Sequence, residues 1–192
     1  MPHCEEGTMG REIITLPTLN RALYDVQAEL EHWGIWWYPG LYDVDVSLVP
    51  LPAACHGVYL PKGWLFYSRG RIHIPAVSLS RLWELWRGSA TSLRDIVRHE
   101  YCHALVDHYP KLFGSRFDRI FRNPLEPYGQ RGYHPEVHVS TYAAKNQGEH
   151  FAETGMLFLK HGGRMPARWQ GTPIADQWEF IRKLFARIRA LP

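Results

Sequence analysis

Three cysteines in 192 residues, Cys4, Cys55 and Cys102, are an odd number with no CxxC spacing. That pattern argues against a disulfide framework and favours reduced thiols. No stretch approaches 18 uncharged apolar residues, so no membrane span is expected. The first residues, Met1-Pro2-His3-Cys4-Glu5-Glu6, lack a basic segment leading into an apolar run. No signal peptide is visible there, which favours the cytoplasm, with export by another route left open. There is little excess of either charge: the formal net charge is +3. The basic residues are scattered, so neither nucleic acid nor a membrane surface is an expected partner. Arg182, Lys183, Arg187 and Arg189 do gather near the C-terminus, where they read as a solvated helix face.

What is present fits one folded domain. A chain of 192 residues, 45% hydrophobic and 21% charged, is long enough for a proper core. Residues 1–192 read as a single domain, with the order of 1–16 left open. Thr18, after Pro17, is a candidate helix cap. Leu19, Leu23, Val26, Leu30 and Trp33 then recur at helical spacing until Gly34. Strand-like runs follow at 42–49, 58–60, 64–67 and 71–74, separated by turn residues such as Gly63 and Gly70. Helices are expected over 78–86, from Ser92 to about Asp107, over 147–160 and over 174–190. Residues 110–145, rich in Gly, Pro and Arg, read as a long irregular excursion. The tryptophans at 33, 36 and 37, and at 83 and 86, are expected to pack in the core. The order of elements is an α+β arrangement with a small mixed sheet.

The chemistry concentrates in His99-Glu100-Tyr101-Cys102-His103, an HExxH motif. On a helix, residues four apart share one face, so two imidazoles can converge on one ion. Glu100 sits beside them, placed to take a proton from a water without ligating the metal. With this composition the motif arises by chance in roughly 4% of shuffled sequences, so a third ligand is needed to support it. Gly and His at 106 and 109 would extend the motif, but the chain has Val106 and Tyr109, and His108 reads as a helix-end residue. Glu149 and Glu153, four apart on a second helix, are the better candidates. One can ligate while the other holds a ligand histidine. Asn146 and Glu149 also have capping-box spacing, so Glu149 has a purely structural alternative.

These residues resemble the gluzincins, HExxH zinc peptidases with a distant glutamate ligand, and most closely the group of the anthrax lethal factor catalytic domain and the Pro-Pro endopeptidases. The likeness rests on Glu149-His150-Phe151-Ala152-Glu153, on Tyr142 seven residues before Glu149, and on the interval from His103 to Glu149. It implies a zincin-like fold with the HExxH helix facing a second, glutamate-bearing helix. It further implies zinc held by His99, His103 and Glu149, with Glu153 behind a ligand, Glu100 as general base and Tyr142 as oxyanion donor. Residues 71–74 would be the edge strand that pairs with extended substrate, making Ile72 and Ile74 substrate-binding residues, and 78–86 the helix backing the HExxH helix. The expected activity is zinc-dependent endopeptidase action on a peptide or protein. The alternatives are a catalytically silent zincin-like domain that binds peptides or proteins, and a zinc hydrolase of other substrates. Cys102 reads as an inert buried thiol, and Cys4 as a candidate latency ligand on thin grounds. Asp107 reads as helix-end polarity, with His134 and His138 lining the cleft or lying exposed.

Overall fold

The computed structural model describes residues 13–37, 40–64, 68–88, 91–122 and 132–192. The first helix, α1 (Leu16–His32), starts one turn earlier than expected. Thr15 is its cap, and Thr18 is the partner that bonds back to it, with Pro17 accommodated in the first turn. Leu19, Ala22, Val26 and Leu30 bury one face, and Gly34, at φ 69°, ends the run as a left-handed glycine. Residues 13–15 are already tied down: Ile14 is buried, and its N–H donates to Ala76 O at 2.8 Å.

The sheet has three strands, β1 (Asp45–Val49), β2 (Val58–Leu60) and β3 (Arg71–Pro75), in the order β1-β3-β2. β1 runs parallel to β3, pairing Asp45 with Arg71, and β2 runs antiparallel, pairing Val58 with His73. This overturns the expected edge role of residues 71–74: β3 is central. Ile72 and Ile74 are fully buried core residues, so their side chains are not open to a substrate. A strand with neighbours on both sides has no free ladder groups to offer a peptide. Part of the run expected at 64–67 lies outside the described residues.

Helix α2 (Leu79–Trp86) forms where expected, capped by Ser78, but buries none of its residues. It does not back the HExxH helix; α1 packs there instead. Trp83 and Trp86 are surface residues, stacked on each other at 5.1 Å, and Trp37 is also exposed. Trp33 and Trp36 do pack inward, against Phe158 and Tyr101 respectively.

Helix α3 (Leu93–His108), capped by Ser92, carries the motif. Val97, Tyr101 and Ala104 are buried along its apolar face. The excursion expected over 110–145 contains a helix, α4 (Ser115–Phe121), preceded by a 3-10 turn at Pro110–Leu112. Phe113, Phe117 and Phe121, four apart, pack on Phe151 with ring centroids 5.2–5.6 Å apart. That burial stabilises a helix of seven residues, too short to hold on its own.

Helices α5 (Gln147–Lys160) and α6 (Pro173–Arg189) complete the α+β fold. α5 packs along α3 at close range because Gly155 has no side chain. A Cβ there would lie 2.6 Å from Cys102 Sγ. Cys102 is buried at that contact, and burial pushes its thiol pKa far up. A polar network ties the helices together. Arg98 donates to both oxygens of Glu29 on α1 at 2.6 and 2.8 Å and to Asp95 at 2.5 Å. Lys160 on α5 closes the chain with a 2.7 Å bond to Asp95. A buried guanidinium needs such a fork of carboxylates to offset its lost hydration. Among the described residues, no helix is long and apolar enough to cross a membrane.

Candidate metal centre

α3 presents His99 and His103 on one face, and α5 brings Glu149 to meet them. His99 Nε2 lies 3.1 Å from His103 Nε2, and Glu149 Oε2 lies 3.0 and 3.3 Å from the two nitrogens. Ligands held about 2.0–2.1 Å from a tetrahedral ion stand about 3.3–3.4 Å apart, so this triangle is close to the spacing that one small tetrahedral ion needs. His99, His103 and Glu149 thus form a group able to hold a metal ion. Only the Asn146 half of the expected capping box forms. The Asn146 side chain caps the Glu149 N–H at 2.9 Å, which leaves the Glu149 carboxylate for the histidines.

Glu153, one turn along α5, accepts a 2.8 Å hydrogen bond at Oε1 from His99 Nδ1–H. A carboxylate at Nδ1 places the ring proton there and leaves the lone pair on Nε2, directed at Glu149. Two such electron-rich atoms at 3.0 Å repel unless they share a cation, either a proton or a metal. The titration behaviour says the same. Burial alone would lower the His99 pKa, but the bonds to Glu149 and Glu153 outweigh it and bring it up to about 9. For Glu149, burial works upward, and the hydrogen bonds from His103 and His99 hold it down at about 2.

Glu100 is 5% exposed, and burial raises its pKa against the pull of His99 and His103. The Tyr59 backbone N–H of β2 donates to it. Gly57 leaves room for this approach, since a Cβ there would sit 2.9 Å from Glu100 Oε1. β2 is held against α3 by Asp107, whose Oδ2 accepts from Tyr59 Oη at 2.7 Å and Lys62 N–H at 3.1 Å. Asp107 is therefore a brace between elements, more than helix-end polarity.

Tyr142 stands edge-on to His99, ring centroids 5.7 Å apart, and is 41% exposed. Burial of the hydroxyl and the charges of Glu149, Glu100 and Glu153 push it up to about 12, so it keeps its proton. Lys145 Nζ lies 3.8 Å over the Tyr142 ring. His108 pairs with Asp43 at 3.0 Å, away from the centre. His134 is partly buried and His138 is buried. Cys4 lies outside the described residues.

Sequence reasoning missed Ser140, whose Oγ donates to Glu153 Oε2 at 2.6 Å and accepts from Ala143 N–H at 3.1 Å. A serine three residues before a turn's end was the available signal. It also missed Gly57 and the β2 main chain at Glu100, for which only tertiary contact gives a reason. No family model, no curated protein and no solved structure matches this chain.

Proposed function

We propose that this chain is a zinc-dependent endopeptidase of gluzincin type. What supports it most is the convergence of His99, His103 and Glu149 within hydrogen-bonding distance of one another, with Glu100 beside them. Two imidazoles and a carboxylate suit zinc, with three protein ligands leaving a position for catalysis. Bound there, zinc would polarise a scissile carbonyl and acidify water toward a pKa of about 7.

The chain's own residues would do the rest. Glu100 takes the proton of the attacking water on its carboxylate and returns it to the leaving amine. Its burial raises its basicity, which suits that exchange. Tyr142, protonated at neutral pH, donates to the oxyanion of the substrate's tetrahedral intermediate. Glu153, steadied by Ser140, keeps the His99 proton on Nδ1. The strand edge near the site is β2, and a peptide in extended form is the matching substrate class.

The test is zinc content combined with peptide-library digestion, for wild type beside Glu149→Ala. One zinc per chain, peptide cleavage, and loss of both in the variant are expected. A protein that neither holds nor takes up zinc would sink the proposal. Tight zinc without cleavage of any peptide would instead favour the silent peptide-binding domain.

A further inference from the structure

Helix α3 carries a second line of polar residues beside the histidines. Glu100 and Asp107 are seven residues apart, about two turns, so they share one side of the helix. β2 and its flanks run along that side. At one end Gly57 lies against Glu100, where a Cβ would stand 2.9 Å from Oε1 and 3.2 Å from Cγ. In between, the Tyr59 N–H donates to Glu100. At the other end a single oxygen, Asp107 Oδ2, accepts from both Tyr59 Oη at 2.7 Å and the Lys62 N–H at 3.1 Å.

β2 needs such a fixing point. It has three residues and pairs with β3 along one edge, and no strand covers its other edge among the described residues. Val58 is exposed, so the strand has little apolar burial to hold its distance from the helix. The Tyr59 side chain supplies the reach. It passes Gly70, where a Cβ would collide with the hydroxyl. Burial and the bond to Asp107 push the Tyr59 pKa far up, which leaves the hydroxyl as the donor in this pair. Glu100 is itself buried, and a small displacement of a group that moves a proton can cost orders of magnitude in rate.

We propose that Asp107 is a positioning residue for Glu100 and acts through β2. By holding Tyr59 Oη and the Lys62 N–H, it keeps the strand's main chain where the Tyr59 N–H can orient the Glu100 carboxylate. Its effect on rate rests on the peptidase reading, and its effect on β2 does not. Because one oxygen takes both bonds, an amide oxygen should serve in place of the carboxylate.

Two measurements on the full-length protein test this. In the zinc-loaded protein, Asp107→Ala should lower kcat about 10–100-fold on a peptide that wild type cleaves, with KM within about 3-fold and zinc content unchanged. Tyr59→Phe removes one of the two bonds and should lower kcat less, which keeps the test open if Asp107→Ala fails to fold. Asp107→Asn should restore kcat to within about 3-fold of wild type. In metal-free protein, NMR-detected amide exchange at Tyr59 should be at least about 10-fold faster in both Asp107→Ala and Glu100→Ala, and close to wild type in Asp107→Asn. Raised KM at unchanged kcat would overturn the proposal, because the brace would then serve a substrate edge and not the base. Equal losses in Asp107→Ala and Asp107→Asn, or a Tyr59 amide indifferent to either alanine variant, would overturn it too. A wild type that cleaves no peptide but shows the expected exchange pattern would sink the peptidase reading and uphold the link from Asp107 to Glu100.

Discussion

Two histidine pairs lie at the N-terminal half of helix α5, one on α3 facing it and one including its own His150, and their opposite behaviour comes from their partners. His99 is buried among the carboxylates of Glu149 and Glu153 and is pushed up to about 9. His138 is buried beside the His150 imidazole and accepts the His134 N–H, with no acid in contact among the described residues, and is held down to about 4. Burial acts in the same direction on both. The first pair is therefore able to share a cation, and His138 in the second stays neutral at pH 7.

The largest expected effect isolates the acid side. Glu100→Gln should lower kcat/KM by about 10²–10⁴-fold while zinc stays bound, because it removes the proposed proton acceptor and none of the proposed ligands. Steady-state kinetics beside metal analysis would check it. Loss of zinc along with activity would mean that Glu100 helps build the site.

The next comparison is pH. In metal-free protein, His99 is raised from 6.5 to about 9. Its stabilisation is fully present below pH 6.5 and lost as pH rises toward 9, up to about 3 kcal/mol. His138 is depressed, so its contribution is present above pH 6.5 and lost as pH falls toward 4. Urea unfolding across pH 4–9 should show both declines. Zinc should remove the alkaline one and leave the acid one.

Glu153→Gln sharpens the contrast by removing only the charge behind His99. Zinc affinity should fall about 10–100-fold, as measured by chelator competition. An unchanged affinity would show that His99 is oriented without it. The smallest effect concerns the spacing of α3 and α5. Gly155→Val should cost about 1–3 kcal/mol, since even a Cβ meets Cys102 Sγ at 2.6 Å. Cys102→Ala in the same chain should recover part of that loss in thermal unfolding.

Much of this molecule is legible locally. Caps at Ser92 and Asn146, the stop at Gly34 and the 3.6-residue stripes placed most of the helices, because capping and periodicity act within a few residues. HExxH and the Glu149–Glu153 pair named the residues that the fold brings together, since four-residue spacing on a helix defines a face without any tertiary contact. Where local signals competed, they misled. Thr15 and Thr18 flank the same proline, and only the chain's path through Ile14 selects the former. The Gly- and Pro-rich flanks within 110–145 hid the short α4, whose aromatic face is worth little until Phe151 packs on it.

Long-range pairing decided the rest. Nothing in residues 71–75 distinguishes a central strand from an edge, because strand order depends on which segments arrive on either side. Ser140 behind Glu153, the Tyr59 N–H at Glu100 and the buried His138 ring all join residues from separate elements. The sequence by itself set which groups can bind a cation, through residue type and helical spacing. Tertiary structure alone decided their charge, because a histidine's proton affinity follows the acids or carbonyls that packing places around it.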